Sequence, residues 1–270
     1  MEADRIKNFY SGYADCITAK RWRSKYPLRA YAHNEQYKSV LSFVRPGMNV
    51  LDSGCGEGVL SFMMREKGAG VTGTDLSKPN IEVCKETAEE RNLSRQMNFQ
   101  VADIENLPFP DDHFDLVVSS HVLEHLPDFD KGFREIMRVT KKRAVIAIPT
   151  ILNPCSWVQI GQGWFYLKGP RSFAALPYGF SKMLWALLTF NEGVDESYAG
   201  EKIPHIFRFP SVMKKKIEKN DFRLIQYEAS SICLPYFEFL LPVIRFLDKH
   251  KGKPFLRNCG YGTTFVIEKG

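Results

Sequence analysis

The sequence predicts an α/β fold: a mostly parallel sheet of seven strands with helices packed on both faces. Three observations predict it. Short apolar runs alternate with helix-length runs from residue 48 to residue 149, the rhythm of parallel strands joined by crossover helices. The run from Val50 to Gly58 ends a strand on Asp52, then passes through Gly54, Gly56 and Gly58 before a helix-like stretch from Val59. The rhythm breaks after Pro149, returns near residue 209 and closes with an apolar strand at 263–268.

Taken in order, residues 1–35 read as a helical cap rich in Tyr and Arg, and residues 36–45 as a helix stopped by Pro46 and Gly47. Strands are expected at 48–52, 70–74, 97–102, 114–119 and 143–148, and helices at 57–67, 78–91 and 129–139. Between the third and fourth strands lies Leu107 to Asp112, where two prolines and an Asp pair disfavour a long helix. The insert at 150–205 carries Trp157, Trp164, Phe165, Tyr166, Phe173, Tyr178, Phe180 and Trp185. A helix at 209–220 and a strand at 222–228 follow, then an apolar insert within 230–250, from Ile232 to Leu247, and the last strand. The expectation is one Rossmann-like domain over 1–270: a cap (1–45), the glycine-loop half (46–149), an insert or lid (150–205) and a C-terminal half (206–270).

Composition narrows the class. At 270 residues, 44% hydrophobic and 25% charged, the chain can bury a full core. A net charge of +6 is mild, and Lys141 to Arg143 and Lys214 to Lys216 read as solvated helix ends or faces rather than nucleic-acid contacts. The six cysteines, Cys16, Cys55, Cys84, Cys155, Cys233 and Cys259, form no C-x-x-C pair and are scattered as in a reduced cytosolic enzyme. The first residues lack the apolar core of a signal peptide, and no apolar run approaches the ~18 residues of a membrane span. The expected location is cytoplasmic, with membrane association kept open by the apolar inserts.

The glycine loop carries the chemistry. Glycine tolerates positive φ and has no Cβ, so a bulky ligand can lie against the backbone. In α/β sheets this strand–loop–helix crevice takes adenine-containing cofactors. A dinucleotide loop, G-x-G-x-x-G, would place its third glycine where this chain has Val59. Asp75 ends the second strand 23 positions after Asp52, where a carboxylate can accept both ribose hydroxyls. Asp103 ends the third strand and can accept from an adenine amino group, with Ile104 over the ring; the fourth strand ends at Ser120 facing the same crevice. The bland alternative for such acids is a turn or an N-cap, Asp75 capping the helix that starts near Ser77.

Together these features resemble the class I S-adenosylmethionine-dependent methyltransferases, in particular the Methyltransf_11-like group of small-molecule methyltransferases. The resemblance rests on VLDSGCGEG, GTDLS, ADIENLPFPDDHFDLVVSSHVLEHL and the strand Ala144 to Pro149, covering about residues 36–150. It recovers weakly from Pro204 to Phe209 and on to Asn220, Asp221 and Phe222, where the family often has an Ala-Gly-Phe turn. It implies S-adenosyl-L-methionine as cofactor and S-adenosyl-L-homocysteine as product. Asp52, Ser53, Gly54, Cys55, Gly56 and Gly58 would line the methionine half, Asp75 and Leu76 the ribose and adenine, Asp103 and Ile104 the adenine edge, and Ser120 the sulfonium. Cys55 needs only to be small between two glycines.

The segment His121 to His125 offers further chemistry. If helical, it puts His121, Glu124 and His125 on one face, a spacing that can bind a divalent ion. Some quinone-pathway O-methyltransferases bind a metal there, yet V-L-E-H-L is widespread in enzymes not known to need one, so no metal is expected. A general base drawn from His121, His125 or His205 is the stronger expectation, since histidine titrates near neutrality; a helix cap or a core hydrogen bond is the alternative. Where base-methylating enzymes carry (Asp/Asn)-Pro-Pro-(Tyr/Phe), this chain has Ser119, Ser120, His121 and Val122, so no nucleic acid is expected.

The aromatic inserts, Phe180 to Phe190 and Leu234 to Leu247, can wall an acceptor pocket, rest on a membrane surface or pack as core. They point to a small, hydrophobic or lipid-like acceptor, with O-methylation first. Arg29 and Tyr31 of the cap are placed to reach cofactor or acceptor. Two other readings compete: a protein that binds the cofactor without turnover, and an NAD(P)-dependent oxidoreductase, supported by the Y-x-x-x-K spacing of Tyr178 and Lys182.

Overall fold

The computed structural model describes residues 2–13, 23–196, 203–220 and 222–269; Cys16 and Asp221 lie outside them. Among the described residues, the first helices are α1 (Glu2–Ser11) and α2 (Pro27–Leu41). Then come β1 (Asn49–Ser53), α3 (Val59–Glu66), β2 (Gly70–Asp75), α4 (Lys78–Glu90), β3 (Met97–Val101), β4 (Phe114–Ser120), α5 (Phe129–Val139) and β5 (Thr140–Pro149). The insert holds α6 (Pro154–Ile160), α7 (Pro170–Leu188) and a hairpin of β6 (Gly193–Asp195) and β7 (Ile206–Arg208). The chain closes with α8 (Pro210–Lys219), β8 (Arg223–Ser231), α9 (Leu241–Asp248) and β9 (Gly262–Glu268).

The main sheet has seven strands in the order β3-β2-β1-β4-β5-β9-β8. β1 pairs in parallel with both β2 and β4, and β9 is antiparallel to both neighbours, β5 and β8. Strand order reverses between β1 and β4, the switch point where α/β sheets leave a crevice beyond their carboxyl ends.

Strand residues alternate between two cores because successive side chains point to opposite faces. Val50, Leu116, Val118, Val145 and Ala147 join one face with α2, α3 and α4. Leu51, Val117, Ala144, Ile146 and Phe265 join the other with α5 and α8. Burial on both faces is why these strands read as continuous apolar runs.

A third core ties the cap to both inserts: Leu28 and Ala32 of α2 pack with Cys155, Val158, Phe165, Cys233, Tyr236 and Ile244. Helices α6 and α7 approach closely because Gly179 faces Trp157, where a Cβ would stand 1.8 Å from the carbonyl oxygen. No helix among the described residues is long and apolar enough to cross a membrane.

Three expectations need correction. The helix expected at 36–45 is α2, which starts on Pro27 at its first turn and ends at Leu41, four residues before the expected end; a proline there costs no helix hydrogen bond. β5 begins at Thr140 because Thr140 and Arg143 already pair with β4. The segment 121–125 is not an α-helix: a single 3-10 turn spans Leu123–His125, and His121 sits in the left-handed region at φ 58° with its N–H on Ala147 O.

Candidate functional site

A cavity of about 260 Å³ opens at the switch point. Its floor is the loop after β1. Gly54, Gly56 and Gly58 all have positive φ, so the alternation of glycines is a backbone requirement. Gly54 N and Cys55 N donate to Thr74 O at 2.7 and 2.9 Å. A Cβ on Gly54 would lie 2.2 Å from Val122 Cγ2, whereas a Cβ on Gly56 would meet nothing within 4 Å. The loop is pressed against β4's exit at Gly54 and left open for a ligand at Gly56.

The acids brace this floor. Asp52 is buried and accepts from Ser61 Oγ at 2.5 Å. Burial pushes its carboxyl up to about 7, with the Asp75 charge acting in the same direction and the Ser61 hydrogen bond opposing. Asp75 accepts from Gly56 N and Ser77 N, both at 2.8 Å; burial raises its pKa against those backbone bonds. Ser77 is the cap of α4, its Oγ accepting from Asn80 N, so Asp75 is free of the capping role and holds two loops together.

Asp103 accepts from Glu105 N and, at 2.6 Å, from Lys7 Nζ. Lys7 also meets Glu105 at 2.8 Å. The hydrogen bond to Asp103, then that to Glu105, raises the Lys7 pKa and keeps the ammonium charged. Helix α1 is thereby locked over the Asp103 end of the cavity, adding Ile6, Lys7 and Tyr10 to the cavity wall, while α2 adds His33, Gln36 and Tyr37.

Of the sequence-derived cofactor residues, Asp52, Gly54, Cys55, Gly56, Asp75, Leu76, Asp103, Ile104 and Ser120 line the cavity. Ser53 is sealed in the sheet opposite Thr74, and Gly58 caps α3 against Cys84 and Phe62; neither is in the wall. Arg29 and Tyr31 are also elsewhere: Arg29 lies over the Tyr166 ring, and Tyr31 OH donates to Asp248 Oδ2 at 2.6 Å. Tyr178 and Lys182 stack on each other on α7, outside the cavity, so the dehydrogenase reading loses its catalytic pair.

All three candidate histidines line the cavity. His121 Nδ1 lies 3.2 Å from Glu124 Oε1. His125 Nδ1 lies 2.8 Å from Pro204 O, a bond in which the ring must donate, and its ring packs 4.8 Å from that of His205. Burial opposes ionisation of Glu124, but the His121 hydrogen bond and the charges of His121, His125 and His205 outweigh it and hold its carboxyl at about 2. One donor atom each from Glu124, His125 and His205 lies within 4.8 Å of the others. The ligand-type cluster therefore forms with His205, not with His121 on a helical face.

Gln36 Nε2, His121 Nε2 and Glu124 Oε2 are buried without a hydrogen-bond partner among the described residues. Buried polar atoms left so cost free energy unless a ligand or water satisfies them, so this corner fits a polar group on a bound molecule. Gln36, Lys7 and Tyr10 were missing from the residues expected from the sequence, and Glu124 entered there only as a possible metal ligand. Their signal is tertiary, since Lys7 and Asp103 are 96 residues apart in the chain.

Residues 51–148 match a family model described as a methyltransferase domain. The chain is 34% identical over 206 residues to the methyltransferase GfsG of Streptomyces halstedii, covering 74% of this chain and 65% of that protein. It is 35% identical over 126 residues to the malonyl-[acyl-carrier protein] O-methyltransferase of Serratia marcescens, covering 47% of each. The chain thus spans less than two thirds of the length of these curated relatives. Among solved structures, magnesium protoporphyrin IX methyltransferase from Synechocystis PCC 6803 with bound S-adenosylhomocysteine superposes with a TM-score of 0.59 over 99% of both chains, at 16% identity, a likeness of fold.

Proposed function

Because this chain belongs to the class I S-adenosylmethionine-dependent methyltransferases, we propose that it methylates a hydroxyl oxygen of a small, largely hydrophobic acceptor. The observation that carries this reading is the Glu124–His121 pair at the cavity wall, with His121 Nε2 buried and without a partner among the described residues. Bound in the cavity, S-adenosylmethionine supplies a methyl group on a positively charged sulfur, already activated for displacement. The carboxylates of Asp75 and Asp103 would hold its adenosine part, and the Asp52 corner with the open backbone at Gly56 its methionine part.

The protein's own chemistry is positioning and proton transfer. An ionised Glu124 accepts the proton on His121 Nδ1, which leaves Nε2, buried and without a partner among the described residues, as the basic nitrogen. That nitrogen would take the proton of an acceptor hydroxyl as the hydroxyl oxygen bonds to the methyl carbon and the carbon–sulfur bond breaks, its electron pair leaving with S-adenosylhomocysteine, and Glu124 would stabilise the resulting imidazolium. Alignment of hydroxyl and methyl lowers most of the barrier. The aromatic and aliphatic wall, including Ile6, Tyr10, Tyr37 and Leu126, supports an acceptor with an apolar body. The name of the Serratia relative supports oxygen as the atom methylated.

The test has two arms. Calorimetric titration with S-adenosylmethionine, S-adenosylhomocysteine and NADH in parallel should give binding of the first two alone. With a productive hydroxyl acceptor, His121→Gln should lower kcat by about 10²–10⁴-fold and leave S-adenosylhomocysteine affinity intact. Glu124→Gln should instead displace the pH–rate profile. An undiminished His121→Gln enzyme removes the base. Cofactor binding without turnover on any acceptor favours the non-catalytic binding reading.

A further inference from the structure

The two inserts turn apolar faces outward. Helix α7 buries a face of mostly small residues, Ser172, Ala175, Gly179, Met183 and Ala186. Its opposite side presents Phe180, Leu184, Trp185, Leu187 and Leu188, and the chain then reaches Phe190, 94% exposed. A surface helix ordinarily shows polar residues there. The second insert and the turn after it do the same with Phe237, Phe239, Val243, Phe246 and Phe255, the last 78% exposed.

These faces join. The Phe173 ring packs 4.8 Å from Tyr236, which neighbours Phe237, whose ring lies 5.5 Å from Phe239. Tyr236 N also donates to Phe165 O at 2.8 Å. An apolar patch of this extent marks an interaction surface.

The charge pattern says what covers it. Residues 164–190 contain Lys168, Arg171 and Lys182 and no acid. Residues 232–258 contain Arg245, Lys249, Lys251, Lys253 and Arg257 against only Glu238 and Asp248. Asp248 is turned inward, accepting from Tyr31 OH and Ile232 N, while Lys168, Arg171, Arg245, Lys249 and Lys253 are exposed. Aromatic and aliphatic side chains with basic residues around them match the boundary of an anionic bilayer, where rings sit at headgroup level and cations meet lipid phosphates.

We infer that the outer faces of the two inserts form one surface that lies on an anionic lipid bilayer. The same surface backs the Tyr261 end of the cavity. Phe165 of the insert core packs 5.0 Å from the Tyr261 ring, and both Tyr261 and Gln159 line the cavity. Docking would place that end beside a reservoir of apolar molecules. The surface stands on its own observations, independently of the proposed methyl transfer.

The test is sedimentation of the full chain with vesicles of phosphatidylcholine alone and with about 30% phosphatidylglycerol. Tryptophan emission is recorded in parallel. The chain should sediment with the anionic vesicles only, its emission should shift to the blue as Trp185 enters the interface, and high salt should weaken binding. The double variants Trp185→Glu with Leu188→Glu, and Phe239→Glu with Phe246→Glu, should each reduce binding about tenfold. Far-UV circular dichroism checks their folding, and Lys215→Glu, away from the surface, controls for net charge. Wild-type protein that ignores anionic vesicles overturns the inference, as does undiminished binding by both double variants. So does a wild-type dimer in light scattering that the same substitutions dissolve, with no vesicle binding, since a second copy would then cover the face.

Discussion

Asp52 sits where the cofactor's cationic end is proposed to lie, and burial holds its carboxyl at about 7. For an acid with a raised native pKa the sign runs against stability. Between the ordinary value of 3.8 and about 7 the native state binds more protons than the unfolded chain, so stability falls as pH rises through that window. A cation placed beside Asp52 favours the ionised form and expels the proton. Titrations with S-adenosylmethionine at pH 6 in buffers of different ionisation enthalpy should therefore show release of up to about one proton. Affinity should rise from pH 6 to pH 8, and Asp52→Asn should abolish both effects. Asp75 is a different case, because its two oxygens hold Gly56 N and Ser77 N. Asp75→Ala strands those donors, and cofactor affinity should fall by about 1–3 kcal/mol. Unchanged affinity would separate that carboxylate from the ligand.

Among the elements, the glycine loop presses one glycine against the fold and leaves another open. Gly54→Ala combines φ +81° with a Cβ 2.2 Å from Val122 Cγ2, and should cost about 2–4 kcal/mol of stability in urea unfolding. Gly56→Ala meets no neighbour within 4 Å, so stability should fall less while cofactor affinity falls more. The reverse ranking would show that the loop's open side is not the ligand side. The strands and helices of 48–149 were legible to within a few residues because burial on both faces makes their apolar runs continuous. The turn at Leu123–His125 was not, since its shape depends on the His121 backbone bond to Ala147 O, a tertiary contact with no local signal. Nine of the eleven residues expected to hold the cofactor line the cavity because consecutive strands deliver them to one edge, and spacing alone could not tell that Ser53 and Gly58 lie outside it. The cap's Lys7 and Gln36 could not be read from spacing, because α1 and α2 reach the site by packing rather than by register.

At the scale of the whole molecule, the cavity draws on the cap, the sheet edge and the insert together, so a ligand that fills it ties all three. Cofactor at a hundredfold excess over Kd should add about 2.7 kcal/mol of stability, seen as a rise of roughly 5–10 °C in Tm. NADH at the same concentration should leave Tm where it was. A Tm unmoved by S-adenosylhomocysteine would mean that the cavity does not take it. Composition and rhythm conveyed an α/β sheet with two apolar inserts, but not that cap and inserts share a core, since Leu28, Phe165 and Ile244 meet only in three dimensions.

The antiparallel strand β9 lies between β5 and β8, and its residues come after those of both neighbours in the chain. On the ribosome, the first five strands emerge while β5 still has one row of backbone donors and acceptors unpaired. That row waits from Pro149 until Gly262 and its successors leave the exit tunnel. At about 5–20 residues per second the wait is on the order of ten seconds. Throughout it the nascent chain carries an open sheet edge beside its apolar insert residues, the kind of intermediate that chaperones shield from aggregation.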